Sequence, residues 1–432
     1  MRESFLQIFI ISLILLILVA YKTRINIGVL STGLAFLYGF IILGDDVSVI
    51  IQAFPTNIVL MLFLITMLNG YYTETGAVEC LVEKMLYAAR RHTLLLPWVI
   101  WFSCAILSAV CSPNAVILLM GTLTFQILKK ADLSPILAVV AISTGSMVGA
   151  ALPFGQGCLI IKGILEKQPG YENLANQMVT GVWANATVKE ILVMVLAMLI
   201  LCRRRTKQIE MDRPAAFTKD QKRVLVIATF SLIAFSMPFL IGIIAPNNNG
   251  ISKYFDIKFT CIICIIICSI LHPDKSRKII REHIPWEIIV MISGISMYLG
   301  LAKEVGVIDD LSSWLSASVP SQLLPIALVL VAGFMSSFSG AISVVIPMLV
   351  PLVGTLSASS GLNPIMLTTC IYIGATSTAI SPFSSAGASI LGTCPDGDTR
   401  SKLFYQQFIL LTAIVVFVIL MTALGMFNLI QI

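Results

Sequence analysis

The chain has 432 residues, 58% hydrophobic and 12% charged, with a formal net charge of +6 at pH 7 and a mean hydropathy of +0.96. A soluble globular chain carries roughly a quarter charged residues, so water is excluded as the solvent for most of this one. The excess positive charge is scattered in short runs between apolar stretches, which argues against a nucleic-acid surface and for the lipid bilayer as the large-scale partner.

The apolar stretch 5–20 follows Arg2 and resembles a signal peptide, but no small-residue cleavage site closes it and another span follows, so it reads as a retained helix. Spans long enough to cross hydrocarbon about 30 Å thick follow at 25–43 and 55–71, then an amphipathic, interfacial stretch from Glu79 to Arg91. The apolar block 94–128 is interrupted by Cys111-Ser112-Pro113-Asn114. Span 134–152 carries Ser143-Thr144-Gly145-Ser146 ahead of Pro153-Phe154-Gly155-Gln156-Gly157, so a broken helix is expected over 134–165, and 178–201 closes the half. The segment 203–223 holds Arg203, Arg204, Arg205, Lys207, Arg213, Lys219, Lys222 and Arg223 and reads as a cytoplasmic linker.

Spans at 224–245, 255–272 and 285–301 open the second half, followed by a second amphipathic stretch from Lys303 to Trp314. Block 321–357 is interrupted by Ser339-Gly340-Ala341. Span 364–380 carries Thr376-Ser377-Thr378 ahead of Ser381-Pro382-Phe383-Ser384-Ser385, giving a broken helix over 364–392, and 405–428 is the last crossing. The ten cysteines, many at helical spacing in apolar runs such as Cys261, Cys264 and Cys268, read as reduced packing residues.

The halves match at an offset of about 230 residues. Pro55 to Met61 falls on Pro285 to Met291, Gly70 on Gly300, Glu74 on Glu304 and Gly76 on Gly306. Leu133-Ser134-Pro135-Ile136 falls on Leu362-Asn363-Pro364-Ile365, Gly145 on Gly374, and Pro153-Phe154 on Pro382-Phe383. With the linker inside, most basic residues fall on the cytoplasmic side: Lys22, Arg24, Lys84, Arg90, Arg91, Lys129, Lys130, Lys275, Arg277, Lys278, Arg281, Arg400 and Lys402. Asp45, Asp46, Asp309, Asp310, the Pro246–Gly250 turn and both termini fall outside. Each half has an odd number of crossings, so the second enters inverted. The expected fold is an all-α polytopic membrane protein of about ten transmembrane helices with two re-entrant helical hairpins in two inverted-topology repeats, 1–202 and 224–432.

The four interruptions then meet near the midplane, where irregular backbone needs a protein-lined or water-filled cavity. Helix starts at that depth present unpaired N–H groups and suit an anion; helix ends and unwound carbonyls suit a sodium ion. No Asp, Glu, Lys, Arg or His lies in either tip or in either broken span ahead of its proline, which favours sodium over proton coupling. The bland readings are that the hydroxyls are packing groups, that Glu74 and Glu304 serve helix entry, that Lys162 snorkels, and that His92, His272 and His283 are solvated.

This pattern resembles the ion transporter superfamily, and within it the divalent anion:sodium symporters and their dicarboxylate, citrate and malonate permease relatives. The likeness spans nearly the whole chain. It implies a homodimer of elevator-type carriers, with scaffold helices at 25–71 and 255–301 and a moving body of hairpins, broken spans and the final helix of each half. It also implies a Ser-Asn-Thr motif at each tip; here the tips read Ser112-Pro113-Asn114 and Ser339-Gly340-Ala341. Carried over by position, Ser112, Asn114, Ser339, Gly340, Ser381 and Pro382 would contact the substrate. Ser112, Asn114, Thr144, Gly145, Ser146, Ser339, Thr376, Ser377 and Thr378 would hold sodium as the coupling ion, and Pro113, Pro153 and Pro382 would keep the breaks open. No organic cofactor is expected. The substrate would be a small anion, a di- or tricarboxylate. Rival readings are the large membrane subunit of a binding-protein-dependent carrier, a channel, and a membrane-embedded enzyme; against the last, no HExxH motif or buried His/Asp constellation is visible.

Overall fold

The computed structural model describes residues 11–428 apart from 13–14, 17–18, 20–21, 24, 45, 169, 173, 203–210, 245–254, 308–309 and 311–318. Most of the expected crossing at 5–20, the Arg203–Lys207 run, the Pro246–Gly250 turn, Asp45, Asp309 and half of the Lys303–Trp314 stretch lie outside the described residues.

Helices account for the regular structure, and no strand occurs among the described residues. In chain order they are α1 (Ile27–Phe36), α2 (Thr56–Glu74), α3 (Ala77–Ala89), α4 (Leu96–Val110), α5 (Pro113–Lys130), α6 (Pro135–Ala151), α7 (Gln156–Leu165) and α8 (Ala175–Leu201) in the first half. The second half adds α9 (Lys219–Ile244), α10 (Ile257–Leu271), α11 (Ser276–Glu282), α12 (Trp286–Glu304), α13 (Leu324–Ser336), α14 (Ala341–Ser360), α15 (Pro364–Thr378), α16 (Ser385–Thr393) and α17 (Gly397–Ala423). Five stretches are each long and apolar enough to cross a bilayer: α2, α6 with α7, α8, α14 and α17. Shorter apolar helices include α10 and α13, and α11 meets α12 at a 49° bend. Proline marks several starts: Pro113, Pro135 and Pro364 each stand in a first turn, where the missing N–H has no intrahelical partner to lose. Gly76 and Gly306, aligned between the halves, both take left-handed φ, +67° and +78°, where a side chain would be strained.

Glycines bring the helices together. Gly145 lies against the Trp101 carbonyl and Gly149 against that of Ala105, so α4 and α6 run parallel, close enough that a Cβ at either glycine would collide with backbone. Because only residues 131–134 separate the end of α5 from the start of α6, α5 must return toward the start of α4. The block is therefore a hairpin with its tip at Cys111–Ser112. The second half repeats the construction: Gly374 packs on Val329 and the Thr378 hydroxyl donates to the Gly333 carbonyl at 2.7 Å, so α13 runs parallel to α15 and α14 folds back.

The two hairpins open on opposite ends of the bundle. Beyond its break the first broken span runs beside the part of α14 that leads away from the second tip, where Gln168 Nε2 donates to the carbonyls of Val350 and Pro351 at 3.2 and 3.1 Å. The second broken span ends beside α5, with Thr393 packed on Gly121. Beyond it lies Asp396, whose carboxyl is held below its ordinary range by Thr399 and, further out, by Lys129.

That same end gathers the basic segments. Arg90, Arg91, Lys130 and Arg213 line one cleft, Lys84 Nζ reaches the Ala215 carbonyl at 2.6 Å, and Lys278 Nζ reaches Glu74 at 2.9 Å. Two histidines differ from the solvated reading. His283 Nε2 pairs with Glu74 Oε1 at 2.9 Å, and His272 is buried at the end of α10, because both lie where helices from the two halves interlock. Around the hairpins, α1 crosses α12 at Gly28 and Gly294, and α2 joins α9 and α10 through Tyr72–Ser231 and Tyr71–Ser269 hydrogen bonds of 3.0 and 2.8 Å. All ten cysteines are unpaired.

Candidate functional site

The hairpin tips meet in one cavity. It is lined from the first half by Ser112, Pro113, Asn114, Met147 and Gln156, and from the second by Ile288, Ser339 to Ser343, Ala379, Ser384, Ser385 and Ala386. None of these side chains is charged.

Four helices begin here. Ser112 caps α5 in extended backbone, Gly155 caps α7 and Gly340 caps α14; none of the three supplies a side-chain hydrogen bond to the first turn. At the fourth start, Ser384 Oγ accepts from Gly387 N–H at 3.0 Å. First-turn N–H groups have no intrahelical acceptor, so the walls present backbone donors and the positive ends of four helix dipoles to a space without a cation. Such a space selects for negative charge and holds it with fixed dipoles rather than with a salt bridge.

Ser112, Pro113, Asn114, Ser339 and Gly340 are thus brought together. Ser339 lines the cavity while its hydroxyl donates back to the Met335 carbonyl at 2.7 Å. The other expected residues lie apart from the lining. Thr144, Gly145 and Ser146 sit within continuous helix α6, where Thr144 Oγ1 donates to Val140 and Gly145 serves the contact with α4. The unwinding comes later, at 152–155, which includes Pro153. Thr376 and Ser377 donate to carbonyls of their own helix, Tyr372 and Ile373, and Thr378 to Gly333 of α13. Ser381 and Pro382 are buried in the second break. The hydroxyls of Thr144, Thr376, Ser377 and Thr378 are internally satisfied, as polar side chains in apolar helices commonly are, whereas Ser146 Oγ is buried with no hydrogen bond among the described residues.

Gln156, Ser343, Ser384 and Ser385 also line the cavity; the sequence marks Gln156, Ser384 and Ser385 as members of the breaks but none of the four as a contact residue. Their signal was position: each lies in the cap or first turn of a helix that begins at the cavity. A second omission is Lys189 with Glu190 on α8, 1% and 3% exposed and joined Nζ to Oε1 at 2.6 Å. Ionisable residues inside an apolar span are a functional signal in their own right. Near this pair runs Tyr372 of α15, whose hydroxyl donates to the Met147 carbonyl at 3.2 Å, and Met147 lines the cavity. No cluster of metal-ligating side chains occurs among the described residues.

A family model described as citrate transporter matches residues 11–372. The chain belongs to the citrate transporter family. It is accordingly a multi-pass membrane transporter with a small-molecule substrate. Among solved structures, the YdaH transporter of Alcanivorax borkumensis shares the fold, with a TM-score of 0.61 over 92% of this chain and 97% of that one at 13% identity. No curated protein matches. The family places the uncharged cavity in a transporter, and the distant structural relative has a similar path of helices through nearly its full length.

Proposed function

We propose that this citrate transporter family member is a secondary active carrier of a small di- or tricarboxylate. The observation that carries the reading is the convergence of four helix starts, two of them hairpin tips from opposite ends, on a cavity with no charged side chain. A polycarboxylate in such a site is held by N–H groups and hydroxyls at low dielectric, and it can leave again because no buried counter-charge pins it.

The halves act as inverted repeats. The hairpins, the broken spans and helices α8 and α17 move as one body against a scaffold of α1, α2, α10 and α12, exposing the cavity to each side in turn within a homodimer. The basic end faces the cytoplasm across the plasma membrane, with both termini outside. Sodium drives uptake, bound by backbone carbonyls at the two breaks.

A second reading of the driving ion rests on one specific observation, the buried Lys189–Glu190 pair beside the broken spans. Proton uptake by that carboxylate frees the Lys189 ammonium to be compensated by an arriving anion, so a proton would replace sodium. Uptake of labelled citrate into proteoliposomes under a sodium gradient alone and a pH gradient alone separates the two. Stimulation by sodium at fixed pH supports the first reading; stimulation by inward acidity without sodium supports the second. Uptake of citrate, succinate and malate under neither condition would remove the carrier proposal.

A further inference from the structure

Behind the first hairpin tip lies a second, smaller cavity lined by Thr66 and Asn69 of α2, Ser108 of α4, Ser112 and Gln156. Ser112 and Gln156 also line the main cavity, so the two spaces share a wall. Several of its polar side chains make no hydrogen bond among the described residues. Ser108 is 1% exposed and its Oγ has no hydrogen bond among the described residues. The side-chain amides of Asn69 and Gln156, 8% and 7% exposed, likewise meet no protein partner there, whereas the Thr66 hydroxyl is used by the Leu62 carbonyl at 2.7 Å. A closed-off serine hydroxyl and two side-chain amides that make no hydrogen bond among the described residues thus face one gap, and buried donors and acceptors are nearly always satisfied, so a small polar group belongs there.

We infer that this gap receives the hydroxyl of a hydroxycarboxylate whose carboxylates lie in the main cavity, making Asn69 and Ser108 specificity-determining residues; the inference rests on the carboxylate reading above. The gap is roughly the size of one water-sized group. Its surroundings suit a hydroxyl better than a carboxylate. An amide offers both a donor and an acceptor and a serine hydroxyl either, so a group that donates and accepts satisfies them together. An ionised carboxylate only accepts, and would leave an amide oxygen facing negative charge. The main cavity, with its helix starts, takes the charge; the side gap reads the hydroxyl. A site built around a substrate hydroxyl discriminates strongly against the analogue that lacks it, because its own polar groups are then left unpaired.

The test compares citrate with tricarballylate, the same tricarboxylate without its hydroxyl, and malate with succinate, using the full chain in proteoliposomes. Wild type is expected to favour the hydroxylated member of each pair by about tenfold or more in kcat/KM. Asn69→Ala and Ser108→Ala are each expected to pull that ratio toward one. If Asn69→Ala fails to fold, the smaller Ser108→Ala change and the wild-type ratio still decide. Equal handling of both members by wild type, as a gap filled only by water would give, overturns the inference and leaves the carboxylate reading intact. So does a ratio unmoved by either variant. Uptake of none of the four anions removes the carboxylate reading and the inference with it.

Discussion

At the scale of single residues, the most consequential groups are those whose chemistry and surroundings disagree. Lys189 and Glu190 are adjacent on α8 yet both buried, an arrangement stable only while each compensates the other. Replacing one partner strands a charge at low dielectric, so Lys189→Met alone or Glu190→Gln alone should destabilise the protein by about 3–5 kcal/mol, while the double replacement by apolar residues recovers most of it. Thermal or denaturant melting of the purified protein checks this; equal losses in the single and double variants would mean that the pair is not mutually compensating. If the proton reading holds, Glu190→Gln in addition abolishes the response of uptake to a pH gradient while sodium has no effect. The hydroxyls of Thr144, Thr376 and Ser377 are satisfied within their own helices. Their replacement by alanine should alter stability by no more than about 1 kcal/mol, and a loss of uptake from any one would place it in the site after all.

At the scale of elements, the chain announces its interruptions and conceals its contacts. Proline and small residues at 111–114 and 339–341 mark both hairpin tips because helical backbone in lipid can break only where something else satisfies it. The aligned Gly76 and Gly306 foretell equal left-handed turns. By contrast, Thr144 to Ser146 read as an unwound stretch but form regular helix, since hydroxyl composition alone does not unwind a helix whose serines and threonines can donate to carbonyls a turn earlier. The true breaks follow at 152–155 and 379–384. The sequence does not mark Gln156 as a contact residue, because its role depends on which helix start faces the cavity, a tertiary property. His283 and Glu74 meet across 209 residues, which no local pattern encodes. The close parallel seam of α4 with α6 is testable: a Cβ at Gly149 would strike the Ala105 carbonyl, which flexible side chains cannot relieve. Gly149→Ala should therefore cost about 1–3 kcal/mol, whereas Gly33→Ala, with nothing within 4 Å of the added Cβ, should be tolerated. Melting temperatures of the two variants compare them directly.

At the scale of the whole molecule, the opposed hairpins bring their tips to one uncharged cavity, and the proposed carriage requires that cavity to open to each end in turn. If the body carrying the tips slides along the scaffold, links within the body are harmless and links across the boundary are not. An added Cβ at Gly163 would stand 3.6 Å from that of Ile58 on α2, and one at Gly181 would stand 3.8 Å from that of Ile365, both suited to a disulfide. In a cysteine-free background, oxidising a Gly163→Cys/Ile58→Cys pair should stop uptake and reduction restore it, while a Gly181→Cys/Ile365→Cys pair should leave uptake running; equal effects would contradict the sliding body. Beneath that motion stands the claim that backbone N–H groups at the helix starts hold the carboxylates. Ala341 is the first residue of α14 and follows Gly340 in extended backbone at φ −86°, ψ 122°, a conformation that accepts a following proline. Ala341→Pro therefore deletes one N–H from the cavity wall with the helix start kept. Citrate binding to the purified protein, measured for wild type and this variant, should weaken by roughly ten- to a hundredfold, the worth of a hydrogen bond to a charged group; an unchanged affinity in a folded variant would contradict the account.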